Sequence, residues 1–139
     1  MSKKYITMVL GILLTNCAML SRNETNIVQI KTTKSTNHGS PVYVIIKNAD
    51  LAEFLRDDYQ KIVTEELLSE EKKDSVQKIC LLPGMTKTLY LPNSKKGLVG
   101  IYCMFTDPGD EWKCYLESGG ANHVKLLLGE CEIMCINRF

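Results

Sequence analysis

Six cysteines and two histidines are residues of this 139-residue chain whose types could supply a thiol nucleophile, its histidine base or a zinc ligand. His38 and His123 both lie in turn-like segments, and neither has a spacing to a cysteine that predicts a thiol nucleophile with a histidine base. Cys131 and Cys135 lie four residues apart, whereas zinc sites usually combine two close-spaced pairs of ligands. An enzyme that uses Cys131, Cys135 or His123 is therefore the least favoured hypothesis.

The chain also lacks the sequence signatures that bind nucleotides and activate hydrolytic nucleophiles. It contains no phosphate-binding loop, no nucleophile elbow and no dinucleotide fingerprint, so we expect no catalytic residues, no metal and no cofactor. The formal net charge is +1, and acidic and basic residues are interspersed. Because no basic stripe is present, we do not expect nucleic acid as a partner.

The N-terminal segment has the charge and hydropathy pattern of an export signal. Lys3 and Lys4 precede an apolar run from Ile6 to Leu14. A charged start followed by about ten apolar residues is typical of a secretory signal, and the run is shorter than the ~20 residues that a transmembrane helix needs. Export would place the later cysteines in a compartment where disulfides persist.

Cys17 is the residue for which the sequence predicts a covalent modification. The segment from Leu14 to Cys17 resembles a bacterial lipobox, in which the cysteine thiol receives diacylglycerol and becomes the first residue of the mature chain. Asn16 departs from the usual Gly, Ala or Ser, and Ala18 favours sorting to the outer membrane. An uncleaved signal anchor or an ordinary signal peptide is the alternative. The predicted organisation is a lipoprotein signal peptide at 1–16, a lipidated tether at 17–26 and a β-sandwich domain at 27–139.

One disulfide can be argued from hairpin geometry. Two predicted strands flank the turn TDPGD, and a hairpin centred on Pro108-Gly109 would place Cys103 opposite Cys114. Facing Cβ atoms lie ~4.5–5.5 Å apart, which approaches the spacing that a disulfide needs. We therefore expect a bridge between Cys103 and Cys114. Five cysteines would follow Cys17, and because five is odd at least one thiol is free or paired between chains.

Short β-rich segments separated by turn-forming residues make up most of the remaining chain. About seven strands are predicted, beginning with the alternating segment 27–34 and the apolar segment 42–47, and their regular spacing favours a β-sandwich. One helical segment begins after Asn48 or Asp50 and extends towards Leu67 and Leu68. We expect its apolar face to pack on a sheet, and that face consists of Leu51, Phe54, Leu55, Tyr59, Ile62 and Val63. Glu53, Arg56, Asp57 and Lys61 are predicted to lie outside it.

Taken in order, these segments resemble the TssJ family, the outer-membrane lipoproteins of bacterial type VI secretion systems. The resemblance begins at the lipobox residue Cys17 and continues through TNHGSPVYVIIK, LLPGMTKTLYL and GLVGIYCMFTDPGDEWKCYL. Phe54 and the pair Leu67-Leu68 match the helix that the family carries between the segments corresponding to TNHGSPVYVIIK and LLPGMTKTLYL. Together the matches span nearly the whole mature chain.

The resemblance implies a transthyretin-like two-sheet β-sandwich with one inserted α-helical segment, held on the outer membrane and facing the periplasm. It implies a binding role, in which the domain anchors the periplasmic end of an inner-membrane TssM-like component. The contact loop of the family, between the first two strands, corresponds here to Thr36, Asn37, His38, Gly39 and Ser40. This loop is shorter than is usual in the family, and the chain has more cysteines.

A second hypothesis is another periplasmic binding lipoprotein, such as a secretin pilotin or an inhibitor. A pilotin would engage a short partner segment through a groove, and the helix face at Leu51, Leu55 and Ile62 would then be exposed. A TssJ-like domain would bury that face instead.

Overall fold

The computed structural model describes residues 25–70, 76–119 and 122–138. Within these residues the chain forms eight strands, two short helices, a tight turn at Thr36–Gly39 and a π-helical turn at Val63–Leu67. The strands are β1 (Thr25–Thr32), β2 (Val42–Ala49), β3 (Val76–Leu81), β4 (Thr86–Pro92), β5 (Leu98–Met104), β6 (Lys113–Glu117), β7 (His123–Leu128) and β8 (Ile133–Arg138). The helices are α1 (Leu51–Arg56) and α2 (Tyr59–Ile62).

The strands form two four-stranded sheets. Sheet A has the order β4-β1-β7-β8, and sheet B has the order β3-β2-β5-β6. All neighbouring strands are antiparallel except β1 and β7, which run parallel. This arrangement confirms the mostly β, two-sheet sandwich with one inserted helical segment. The described strands number eight, one more than predicted, because the last segment forms both β7 and β8.

The core between the sheets is formed largely by alternate side chains of the strands, those that point from each sheet towards the other. In β1, Val28 and Ile30 are buried while Gln29 and Lys31 face outwards. All seven residues of β5 are buried, because sheet B has the core on one side and the helical segment on the other. A strand covered on both faces has a continuous apolar sequence rather than an alternating one. We call the helices together with the π-helical turn the helical layer.

The helical segment differs from the prediction because it breaks in the middle. Helix α1 ends at Arg56, and Asp57 adopts an extended conformation. Asp50 caps the start of α1, and Asp58 caps the start of α2, each through a 2.8 Å hydrogen bond from a backbone N–H. Aspartate side chains that accept such bonds favour a new helix start over continuation. The predicted single helix is therefore two separately capped helices.

This break changes which apolar residues are buried. Phe54 and Ile62 pack on sheet B, as predicted. Leu51 and Leu55 point outwards, with 51% and 67% of their surface exposed, so the prediction that both belong to the buried face is wrong. Among the described residues, no helix has the length and apolar character to cross a membrane.

The β5–β6 hairpin has a different register from the one that the proposed disulfide requires. The Cys103 N–H bonds to the Trp112 carbonyl at 2.8 Å, and Cys114 lies opposite Ile101. The expectation that Cys103 faces Cys114 is therefore wrong by two residues, because β5 ends at Met104 and β6 begins only at Lys113. Cys80, Cys103, Cys114 and Cys131 are free thiols. Burial raises the pKa of both the Cys103 and the Cys114 thiols, so neither is an activated nucleophile.

Candidate partner-binding surface

Four connections meet at one end of the sandwich, which we call the loop end. They are residues 33–41, 82–85, 105–112 and 129–132. Backbone hydrogen bonds tie them together: Gly84 N–H to the Thr33 carbonyl at 3.1 Å, and Gly109 N–H to the Cys131 carbonyl at 2.8 Å. The opposite end, where β1 begins at Thr25, we call the tether end. Strand β1 spans the distance between them, about 23 Å at ~3.3 Å per residue.

Thr36 and Asn37 hold the predicted contact loop onto the sandwich rather than presenting it to solvent. The Thr36 hydroxyl donates to the Leu128 carbonyl at 2.6 Å and accepts from the Thr33 N–H at 2.8 Å. The Asn37 side chain accepts from the Thr106 N–H and donates to the Pro41 carbonyl, both at 2.7 Å. Both side chains are buried. These two of the five predicted contact residues are therefore structural supports.

The exposed part of the loop is a compact tip made of His38, Gly39 and Ser40. Three successive residues, Asn37, His38 and Gly39, have positive φ angles of 49°, 53° and 78°. Asparagine, histidine and glycine tolerate this left-handed region better than most residues. The residue types in TNHG therefore favour the backbone conformation seen here. We call His38, Gly39 and Ser40 the loop tip.

Replacing Asn37 by alanine is expected to lower the free energy of unfolding by about 2–4 kcal/mol. The change leaves the Thr106 N–H and the Pro41 carbonyl without their partner and places alanine at a positive φ. Urea unfolding followed by circular dichroism measures the loss. Ser40→Ala, at an exposed and extended position, is the matched control and should stay within about 0.5 kcal/mol of the parent. Equal stability of the two variants would contradict the structural assignment of Asn37.

The loop end is acidic. Its four connections contain one lysine, Lys34, and five carboxylates, which are Asp107, Asp110, Glu111, Glu130 and Glu132. Four of these carboxylates are exposed, and Glu132 is half-buried. Leu82 and Met85 are exposed apolar residues in the adjoining β3–β4 turn. A partner that docks at this end therefore meets carboxylates, a polar tip and a small apolar contribution.

A buried ionic network beneath the helical layer is the feature that sequence reasoning missed. Asp57, with no exposed side-chain surface, accepts from Lys47 Nζ at 2.9 Å, Lys61 Nζ at 2.8 Å and the Tyr102 hydroxyl at 2.7 Å. Glu53 and Glu66 lie 3.3 and 3.9 Å from the same Lys47 nitrogen. The prediction that Asp57 lies outside, on the solvent side of a helix, is wrong. The sequence feature that could have indicated this network is Lys47, a charged residue at the end of an apolar run in a strand.

This network shifts the pKa values of Asp57 and Tyr102, and a separate hydrogen bond beside it joins the helical layer to the loop end. Burial opposes ionisation of Asp57, but the hydrogen bonds from Lys61, Tyr102 and Lys47 outweigh it and lower the pKa of the carboxyl. Burial, with the bond to Asp57, raises the pKa of Tyr102. Nearby, the Tyr59 hydroxyl donates to the carbonyl of Phe105, the first residue of the β5–β6 loop. This hydrogen bond therefore connects the helical layer to the loop end.

His123 and Cys131, two of the residues considered for thiol chemistry, lie at opposite ends of the sandwich. His123 begins β7 at the tether end, and Cys131 lies in the β7–β8 turn at the loop end. The length of β7 alone is about 17 Å at ~3.3 Å per residue, far beyond the reach of a hydrogen bond. His38 lies on the loop tip.

The chain matches a known protein family over more than half of its length. A family model described as "IglE, N-terminal domain" matches residues 43–128, which is 86 of the 139 residues. The match begins just after the loop tip and ends with β7. No curated protein sequence matches the chain.

Solved structures are similar in fold. The T6SS lipoprotein TssJ1 from Pseudomonas aeruginosa superposes with a TM-score of 0.68 at 17% identity, over 84% of this chain and 97% of that chain. Lip from Serratia marcescens, described as a membrane bound component of the Type VI Secretion System, gives 0.66 at 14% identity, over 84% and 97%. A chain in a structure described as "T6SS protein TssM C-terminal domain (869-1107) from EAEC" gives 0.59 at 18% identity, over 84% and 98%. These similarities confirm the resemblance to the TssJ fold.

Proposed function

This chain belongs to the family defined by the IglE N-terminal domain, and from that premise we propose that it is an outer-membrane lipoprotein of a type VI secretion membrane complex. The support is a shared fold: the similar structures are T6SS lipoproteins and a type VI membrane complex. The proposed role is to bind and anchor a partner, without a catalytic step.

The proposed partner is the periplasmic domain of an inner-membrane TssM-like component. A TssM domain spanning 869–1107 has 239 residues. The similar chain in that structure is only about half as long, because 84% of 139 residues, about 117, covers 98% of it. The similarity is therefore to a companion of the TssM domain in that structure. By analogy, this chain would stand in the same position beside a TssM-like partner.

The proposed anchor is diacylglycerol on Cys17, in the membrane leaflet that faces the periplasm. Cys17 lies outside the described residues, eight positions before Thr25, and eight residues reach at most about 28 Å. Strand β1 begins at the tether end, so the loop end lies at the opposite end of the sandwich from the point where the tether enters. That position suits contact with a protein reaching across from the inner membrane.

The proposed contact residues are His38, Gly39 and Ser40, held in place by Thr36 and Asn37. The observation that carries this proposal is the geometry of the loop tip: three successive positive φ angles define its backbone, and two side-chain hydrogen bonds of Asn37 hold it on the sandwich. A pre-organised loop loses little conformational entropy on binding. Polar loops held on a rigid scaffold are common binding elements.

Ser40→Arg is expected to abolish recovery of the partner. The Ser40 side chain is exposed and its backbone is extended, so arginine fits without disturbing the fold but projects a bulky cation into the contact. The measurement is co-purification in detergent of the tagged full-length chain from native membranes, with bound proteins identified by mass spectrometry.

Gln60→Arg, an exposed position on α2, introduces the same side chain away from the loop end and serves as the control. Recovery of a large inner-membrane secretion component with the parent and with Gln60→Arg, but not with Ser40→Arg, supports the partner and the site together. Recovery of that component with all three proteins would overturn the site. Recovery of a secretin, or of no envelope protein, would overturn the assembly role.

A secretin pilotin or an inhibitor is the second candidate, and one observation favours it. Leu51 and Leu55 on α1 are exposed, together with Leu68 after the π-helical turn. These are the apolar residues that a groove-binding protein would present. Ile62, the third residue expected of such a face, is fully buried. We therefore place this candidate second.

A further inference from the structure

Strand β8 is an edge strand of sheet A, and no described strand pairs with its outer side. Two of its large apolar side chains are exposed, Met134 at 65% and Ile136 at 47%. Among the side chains that the structure describes, no other strand has more than one large apolar side chain so exposed. An exposed apolar edge is a site at which another strand can add to a sheet.

The hydrogen-bond register shows which backbone groups of β8 point to this outer side. A 2.7 Å bond from the Ile27 N–H to the carbonyl just before β7 means that the even-numbered residues of β7 direct their backbone groups to β1. The odd-numbered residues of β7 therefore bond to β8, where they face Cys135 and Asn137. Because backbone groups alternate in direction along a strand, those of Ile136 and Arg138 point away from β7, to the outer side.

The side of the sandwich bounded by β8 leaves part of the core uncovered. Ile136 lies opposite Leu126 and shares its core-side face, yet Leu126 is 1% exposed and Ile136 is 47% exposed. A cleft of about 220 Å³ between β6 and β8 is lined by residues that include Leu116, Glu117 and Arg138. A strand that pairs with β8 would bring further apolar side chains beside Ile136.

A second copy of β8 matches this edge in one antiparallel register. With Cys135 on the two-fold axis, Met134 of each copy lies opposite Ile136 of the other. Arg138 of each copy then lies level with Glu132 of the other, the residue just before the strand. Moving the axis by one residue in either direction sets a charged residue opposite an apolar one. Only the first register matches apolar with apolar and cation with anion.

We propose that β8 pairs with β8 of a second copy of this chain in that register, which joins two copies of sheet A into one continuous sheet. Such a two-fold contact uses the same surface on both copies, so each favourable pair occurs twice. The Ile133 N–H is bonded to the Glu111 carbonyl at 2.7 Å, and β8 has an irregular register next to it. The pairing therefore extends from Met134 to Arg138.

This pairing goes beyond the proposed function and is compatible with it. The two copies run in opposite directions, so the tether end of one lies beside the loop end of the other. A reach of about 28 Å from Cys17 to Thr25 exceeds the length of β1, which is about 23 Å. Two copies paired in this way can therefore be anchored in the same membrane.

Cys135 lies on the two-fold axis and reports on the register. Its backbone groups bond to β7, and facing Cα atoms at such a non-hydrogen-bonded position lie about 4.5 Å apart, within the range of a disulfide. Native membranes that contain the full-length chain are treated with copper phenanthroline as oxidant, and linked peptides are identified by mass spectrometry. We expect a link between two copies of Cys135. Cys80, an exposed thiol on the edge strand β3, is the internal control and should form no such link.

The outcomes that overturn the pairing are distinct. Absence of the Cys135 link, or an equally abundant link between two copies of Cys80, would show that β8 does not meet a second copy in this register. A link from Cys135 to a different protein would assign the edge to another partner and would also overturn the inference.

Charge reversal tests the register without a disulfide. Sedimentation of the purified full-length chain in detergent, with a reducing agent present, measures self-association. Arg138→Glu should weaken it about tenfold or more, because like charges then face each other twice. Addition of Glu132→Arg to this variant should restore it. Lys87→Glu is the matched control, since Lys87 lies on the core-side face of the other edge strand of sheet A, opposite Ile30, and should leave association unchanged.

Circular dichroism of each variant verifies that the fold is retained. Unchanged association of Arg138→Glu would overturn the proposed register, as would equal weakening by Lys87→Glu. A parent chain that sediments as a monomer at every concentration and forms no Cys135 link would overturn the pairing itself.

Discussion

Asp57→Ala is expected to lower the free energy of unfolding by about 3–5 kcal/mol. Asp57 is fully buried and is the shared acceptor of Lys47, Lys61 and the Tyr102 hydroxyl. Its removal leaves Lys47, itself almost completely buried, without its closest counter-charge. A buried charge that loses its partner costs far more than an exposed one. Urea unfolding at neutral pH measures the difference.

Lys61→Ala is the matched control for this prediction. Lys61 touches the same carboxylate at 2.8 Å, but it is about one-third exposed and lies one helical turn from Asp57. Its loss should cost only about 1 kcal/mol, since the remaining donors still satisfy the carboxylate. A cost for Asp57→Ala as small as that for Lys61→Ala would show that the network does not stabilise the fold.

The same carboxyl makes stability depend on pH in a defined direction. Burial acts to raise the pKa of Asp57, but its hydrogen bonds from Lys61, Tyr102 and Lys47 hold it below the ordinary value of 3.8. Because the folded pKa is below the unfolded one, the stabilisation is complete above about pH 4 and is lost as the pH falls through the folded pKa. In an Asp57→Asn variant, the decline of stability between about pH 4 and pH 2 should be shallower than in the parent.

Gly100→Ala is expected to lower the free energy of unfolding by about 1–3 kcal/mol, although it adds a single methyl group. A Cβ atom at Gly100 would lie 2.7 Å from Tyr102 Cε2 and 2.9 Å from its hydroxyl oxygen. The ring cannot move aside freely, because it is fully buried and its hydroxyl is bound to Asp57 at 2.7 Å. Thermal and urea unfolding of the purified variant measure the loss.

A double-mutant cycle separates this clash from any general cost of alanine in the strand. In a Tyr102→Leu background the ring is absent, so Gly100→Ala should cost much less than it does in the parent. An equal cost in both backgrounds would place the effect of Gly100 in the backbone rather than in its contact with Tyr102.

The structure thus gives two regions of the domain separate roles. The helical layer and the network around Asp57 hold the outer side of sheet B, and Tyr59 links that layer to the loop end at Phe105. The loop end presents the candidate partner surface.

The sequence by itself determined the architecture and the approximate position of most elements. Alternation in β1, the apolar run of β2 and the turn formers between strands predict a sandwich, and the structure confirms it. These features are local: period-two burial and turn propensity are properties of a few adjacent residues. The position of the candidate loop between β1 and β2 follows from the same local signals, aided by the family resemblance.

Only the tertiary structure decided which residues within these elements are buried, paired or exposed. Thr36 and Asn37 turn inwards because their partners, Leu128 and Thr106, come from distant strands and loops. Cys103 lies beside Trp112 rather than Cys114 because the register of a hairpin is set by how both strands pack.

Lys47 and Asp57 show the same limit for charge. No local pattern predicts that a lysine in β2 and an aspartate between two helices are buried together, because neither is stable there without the other. Burial of a charged group depends on a partner brought from elsewhere in the chain. The sequence could therefore specify the scaffold, whereas the fold determined its polar core and the surface it offers to other molecules.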